Sequence, residues 1–340
     1  VKSFLKEKGI EPSFQNYAIK ALSYMASGLF ASLIIGVIFK TLGDEVPNIP
    51  AFFSTIGDFA IQPIVYGGAV GVAIAHGLRA PSLVLYSALF AGAYGAMEGG
   101  PAGSFIAALV AIELGKIVSG ETKIDIVVTP FFTILVGYLM GSFVGPYISS
   151  ALIGFGEIIV WATDLQPFLM GAIIAALMGV ALTAPISSVA IAIMLDLEGL
   201  AAGAATIGCV SQMVGFAVGS FRENGFGGLI SQGLGTSMLQ IGNIVRKPIL
   251  LLPPTLTGLL LGPIATVWLQ LENNAYGAGM GTSGLVGPIM TLDTMGYQMN
   301  TFVIMLIFYL LVPAILSLVM FEWMRKKGYI SPGDLKLDIN

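Results

Sequence analysis

Two short runs concentrate polar chemistry in an otherwise apolar chain: GLGTS at Gly233–Ser237 and GMGTS at Gly279–Ser283. Each joins two glycines to two hydroxyls. Glycine lets a backbone reverse with its N–H groups open, and Thr and Ser hydroxyls both donate and accept hydrogen bonds. Thr236, Ser237, Thr282 and Ser283 therefore suit a hydroxylated solute or an anion. They equally suit tight turns in which the hydroxyls bond their own backbone. Gln240 and Asn243 follow the first run one helical turn apart, on one face. Asn273 and Asn274 precede the second run, and Glu98 sits in the glycine-rich break AMEGGP. No nucleophile–base pair stands out, so no catalytic residue is assigned. One His and one Cys cannot assemble a Cys/His metal cluster, and neither a metal nor a cofactor is expected.

Membrane helices have to position these groups. The 340 residues are 56% hydrophobic and 10% charged, against roughly 25% charged in soluble domains. Several apolar runs reach the length of about 20 residues that crosses a bilayer. The 44 glycines suit close helix packing. The 17 prolines suit broken helices, tolerated at membrane depth where they are buried in protein. A net charge of −4 without a basic run argues against nucleic acid. The polar start and the long apolar stretch after it argue against a cleavable signal peptide.

Spans are expected at about 18–42, 60–78, 81–97, 101–118 and 124–148, with the last at about 300–322. Lys and Arg on alternate loops put both termini in the cytoplasm and make the number of crossings even, about ten. Within them lies an internal duplication. Gln62-Pro63 and Ala80-Pro81 recur at Gln166-Pro167 and Ala184-Pro185, the same 104-residue shift in both cases. The copies are expected to lie parallel, a device of transporters. The first pentapeptide is flanked by Arg222 and by Arg246-Lys247, so its segment is expected to dip into the membrane and return. The second lies in a stretch without basic residues and is expected to enter from the opposite side. The fold class is thus all-α and polytopic, with two re-entrant hairpins. Four segments follow: a cytoplasmic amphipathic lead-in (1–17), a first repeat unit (18–150), a second repeat unit carrying the hairpins (151–299), and a last span with a cytoplasmic tail (300–340).

The run GLGTSMLQIGNIVRKPILLLPPTLTGLLLGPIATVWLQLENNAYGAGMGTSGLVGPI resembles IIC-like membrane proteins grouped with the perfringolysin regulatory protein. These are similar to the IIC permease subunits of the bacterial phosphotransferase system, and the resemblance covers essentially the whole chain. It implies sugar uptake coupled to phosphorylation, a homodimer in the bacterial inner membrane, and separate IIA and IIB phosphocarriers. It also implies a glutamate that accepts sugar hydroxyls, for which Glu98 is the better placed acid. A solvated loop carboxylate is the alternative there, and Glu113 is read as pairing with Lys116.

The leading expectation is a carrier for a small polar solute, a sugar or polyol, working by alternating access. Its solute-binding set is Glu98, Thr236, Ser237, Gln240, Asn243, Asn274, Thr282 and Ser283. The alternative is a membrane-embedded sensor that signals to a cytoplasmic partner.

Overall fold

Where no water can satisfy the backbone, an apolar chain must bond its own peptide groups, and helices do so within one segment. The computed structural model describes residues 2–45 and 49–337. It is 82% helix, with no strand among the described residues. Among the described residues six helices are long and apolar enough to cross a membrane: Gln15–Asp44, Ser82–Val118, Asp125–Thr163, Gly199–Gly219, Pro248–Trp268 and Met299–Lys326. The pair Phe52–Ala60 and Pro63–Gly77, bent by 58°, is a seventh if counted as one span, and Pro167–Thr183 is a shorter apolar helix. The chain divides into two compact units, one of residues 1–40 and 52–152, the other of 41–51 and 153–340.

In the first unit, Ser82–Val118 is not one rod. Gly99 (φ −147°, ψ 23°) and Gly100 (φ 60°, ψ −152°) leave helical geometry, and Pro101 follows. Residues eight apart in a straight helix lie about 12 Å from each other. Here a Cβ placed on Gly95 would stand 2.5 Å from the Gly103 carbonyl oxygen, and one on Gly115 would stand 3.2 Å from the Val84 side chain. The chain doubles back, so the stretches expected as separate spans at 81–97 and 101–118 are antiparallel arms of one hairpin. Only glycine tolerates the Gly100 conformation without strain.

The second unit uses the same conformation at Gly225 (φ 58°, ψ −155°). Gln232 Nε2 then reaches back to Ser220 Oγ at 2.8 Å. The sequences match there as well: Glu98-Gly99-Gly100 against Glu223-Asn224-Gly225. Gln62 and Gln166 play equal parts too. Each is an extended residue directly before a helix that opens with proline, where the missing N–H costs no hydrogen bond.

The axis of the second unit is helix Gly199–Gly219, most of it buried and about 31 Å long at 1.5 Å per residue. Two hairpins lie along it. The first climbs through 226–235, turns at extended Thr236 (φ −159°, ψ 140°) and descends through 237–246. Near its base Arg222 pairs with Glu322 at 2.8 Å and Lys247 with Asp334 at 2.6 Å. Both ends of this hairpin are thus held beside the exit of Met299–Lys326. The second hairpin starts where the Asn273 N–H bonds the Gly199 carbonyl at 3.2 Å. It returns so that the Glu272 N–H meets Met295 Sδ at 3.4 Å. One base lies at the Gly199 end of the axial helix, and the other lies at its Ser220 end.

Segment 329–337 closes the mouth of the first hairpin as a strap. Ile330 and Leu335 are buried with Phe216, Ile244, Leu250 and Phe321.

Candidate functional site

The two hairpin tips meet halfway along the axial helix. Thr282 Oγ1 donates to the Gly233 carbonyl at 2.5 Å and lies 3.5 Å from Met213 Sδ. Gly281, at φ 54°, lies against Cys209, where a Cβ would come within 2.8 Å of the Cys209 carbonyl carbon. The Cys209 thiol is walled in between the carbonyls of Met178 and Ala278, at 3.4 and 3.5 Å. The pentapeptides are therefore neighbours, one resting on the other.

From the first tip a buried chain of neutral groups runs across the unit. Ser237 Oγ lies 2.7 Å from Thr183 Oγ1, which donates to Gln212 Oε1 at 3.3 Å. Gln212 Nε2 donates to Thr255 Oγ1 at 2.7 Å. Thr236 Oγ1 accepts from the Met238 N–H at 3.1 Å, a local turn bond. Ser283, 1% exposed, differs from all of these. Its hydroxyl is the one buried side-chain polar atom without a hydrogen-bond partner among the described residues. Leaving such a group unpaired costs about 1–3 kcal/mol.

Gln240 and Asn243 lie further down the returning arm, away from the tip. Gln240 Nε2 donates to Gln232 Oε1 at 2.9 Å and to the Leu335 carbonyl at 3.0 Å. Asn243 Nδ2 donates to Gln240 Oε1 at 2.7 Å and to the Lys336 carbonyl at 2.9 Å. Both amides hold the strap. Asn274 stands at the base of the second hairpin and caps helix Ala275–Ala278 by accepting from the N–H groups of Tyr276 and Gly277. Its neighbour Asn273 reaches inward, with Nδ2 on Thr206 Oγ1 at 2.8 Å and Thr291 Oγ1 at 3.0 Å. Glu98 belongs to the first unit. It is half-buried at the Gly99–Gly100 reversal, with its backbone carbonyl accepting from Ser149 Oγ at 3.1 Å. The Glu113–Lys116 pair is present at 2.7 Å.

Sequence reasoning missed Thr183, Gln212 and Thr255. A usable signal existed for Gln212, an uncharged but strongly polar residue near the middle of a 21-residue apolar helix. Thr183 and Thr255 gave none, because threonine in such helices routinely bonds its own backbone. The assembled groups offer donors and acceptors without charge, which is chemistry for holding hydroxyls or amides. Among the described residues no group of three or more His, Cys, Asp or Glu could hold a metal ion.

Long apolar helices enclosing a neutral polar centre define a multi-pass membrane protein. Residues 19–337 match the family model described as "Phosphotransferase system, EIIC", and the chain belongs to that family. EIIC domains are the membrane transport component of the system, so the protein is a transporter of the permease type. Neither a curated protein nor a solved structure matches it.

Proposed function

We propose that this EIIC-family protein carries a sugar or polyol across the membrane by alternating access, with the paired tips of the second unit as its solute site. The observation that carries this reading is the Thr282–Gly233 contact, with the unpartnered Ser283 hydroxyl buried next to it in sequence. Polar groups at mid-depth of a membrane protein are functional candidates by default, and hydroxyl and amide groups are what a sugar hydroxyl bonds best. Thr236, Ser237, Thr282 and Ser283 are the inner contacts. Gln240, Asn243 and Asn274 act lower on the hairpin arms, where they become available when strap or cap contacts open. In the first unit Glu98 is proposed to accept solute hydroxyls at its own glycine reversal.

The same reading makes both hairpins of the second unit re-entrant, with bases on opposite membrane faces and about ten crossings in all. It also makes the second repeat unit a copy of the first. The matching Gln-Pro helix starts and the shared backbone at Gly100 and Gly225 support that duplication. Segments 1–17, 18–150, 151–299 and 300–340 are its working parts. The protein is further proposed to be a homodimer of the bacterial inner membrane with cytoplasmic termini, served by separate IIA and IIB proteins. Its placement in the perfringolysin-regulator-like branch rests on the run Gly233–Ile289. Sensing is the second reading, favoured by one observation: the strap is bound directly by Gln240 and Asn243 of the first hairpin.

Proteoliposomes containing only this protein, preloaded with sugars or polyols, test the proposal by counterflow with and without an ion gradient. Exchange of one solute class is the expected result. Tight solute binding without exchange would overturn transport in favour of sensing.

A further inference from the structure

The first unit holds a polar cavity that the solute reading leaves unused. It measures about 200 Å³ and is lined by Gly9, Glu11, Asn16, Tyr17, Lys20, Leu78, Arg79, Glu113 and Lys116. Part of the lining is internally neutralised. The Glu113 carboxylate accepts from Tyr17 Oη at 2.8 Å and from Lys116 Nζ at 2.7 Å. Lys116, 2% exposed, also donates to the Gly9 carbonyl at 3.2 Å.

Two other cations of the lining are not neutralised. Lys20 is half-buried and Arg79 exposed, and neither side chain has a hydrogen-bond or ion-pair partner among the described residues. Arg79 also has φ 53°, left-handed backbone that a long side chain rarely adopts. Here it closes helix Pro63–Gly77, with the Ala80 N–H on the Ala75 carbonyl at 2.9 Å, and this turn sets the Arg79 side chain on the cavity lining. Lys20, Arg79 and Lys116 face only two carboxylates, Glu11 and Glu113, so the cavity carries an excess of positive charge. Its volume is below the roughly 300 Å³ at which pockets for drug-sized ligands begin. It still equals several waters at about 30 Å³ each.

We propose that this cavity binds a small tetrahedral oxyanion of the phosphate class, held by the Arg79 guanidinium and the Lys20 ammonium. Arginine offers such an anion a planar fork of donors, and lysine a compact charge. Glu11, also on the lining, opposes the anion and sets its affinity. The site lies wholly in the first unit and does not depend on the solute reading. The anion has two available sources, free phosphate or the head group of an acidic phospholipid.

The full chain in phosphatidylcholine nanodiscs, titrated calorimetrically with inorganic phosphate, addresses the first source. Saturable binding is expected, weakened at least ten-fold by Lys20→Gln and by Arg79→Gln, and tightened several-fold by Glu11→Gln. Glutamine at position 79 meets the same backbone strain as arginine, and Lys20→Gln provides an independent check should position 79 disturb folding. Mixed phosphatidylglycerol–phosphatidylcholine discs address the second source by counting phosphatidylglycerol retained on the purified protein. Enrichment lost in both variants, without phosphate binding, assigns the site to a head group and also supports the proposal. Neither phosphate binding nor enrichment would overturn it, as would binding that the two cationic variants leave unchanged or that Glu11→Gln weakens.

Discussion

The Thr282 hydroxyl donates to the Gly233 carbonyl at 2.5 Å, so two nearly identical pentapeptides far apart in the chain touch at their glycine and hydroxyl positions. Thr282→Val keeps the volume but removes the donor, leaving the Gly233 carbonyl unpaired at about 1–3 kcal/mol. Thr236→Val removes only a local turn bond, worth about 0.5–2 kcal/mol. Both variants should weaken solute affinity, Thr282→Val by about ten-fold or more. Their combination should be non-additive, because residues sharing a partner couple. Counterflow with a double-mutant cycle measures this, and strictly additive losses would mean two independent sites.

Ser283→Ala separates binding from folding. Removing a buried hydroxyl that has no partner within the protein should leave thermal stability unchanged or slightly raised. Solute affinity should nevertheless fall several-fold. Thermal melts and counterflow on the same preparation give both numbers, and unchanged affinity would remove Ser283 from the site.

Gly100→Ala and Gly225→Ala test the two reversals. A Cβ added at either glycine would meet no atom within 4 Å, so backbone strain alone sets the penalty. Each substitution should destabilise by about 1–3 kcal/mol. Gly227→Ala, also in open space but without positive φ, should be neutral or stabilising. Equal melting temperatures for all three would show that the reversals tolerate a side chain.

The strap gives a pH prediction through Asp334. Burial pushes its carboxyl upward, but the hydrogen bond from Lys247, the Ser331 N–H, and the charges of Lys247 and Arg246 outweigh that and hold it below the usual range. A depressed folded pKa means stabilisation that is present above the unfolded value of about 3.9 and lost as pH falls through the folded value. Protease protection of 329–337 should therefore stay constant from neutral pH down to about 4 and weaken only below it. Asp334→Asn should loosen the strap already at pH 7, with no further change down to about pH 4. Loosening of the unsubstituted protein between pH 7 and 5 would point to another group.

Orientation can be read chemically. Cysteines placed at Lys8, Lys123, Lys247 and Lys326 in a Cys209→Ala background should all react with an impermeant reagent added from the cytoplasmic side. Reaction of Lys123 and Lys326 positions from opposite sides would break the even count of crossings.

Hydropathy made the apolar helices legible, and the long family run made the EIIC membership legible. Glycine next to hydroxyl marked Thr282 and Gly233 as unusual, but their contact was beyond a linear reading because it pairs a side chain with a carbonyl. Gln240 and Asn243 illustrate the same limit. Their partners are the carbonyls of Leu335 and Lys336, and any residue type presents a carbonyl. Asn274 and Asn273 are adjacent and chemically identical, and only the helix start at Ala275 makes one a cap and the other an interior donor. The reversal at Gly225 was obscured because its Glu-Asn-Gly lies 125 residues after Glu-Gly-Gly, not 104, and Asn replaces the middle glycine.

Thr282 and Gly233, which join the two tips, and Ser237, Thr183, Gln212 and Thr255, which continue from the first, carry no formal charge. A membrane voltage of 100 mV does work of about 2.3 kcal/mol on each elementary charge moved across it. On a neutral solute passed between neutral groups it does none. For the neutral solute proposed here, rearrangement of these tips would itself be electrically silent, leaving solute concentration or chemical change of the solute after it arrives to set the direction of net flow.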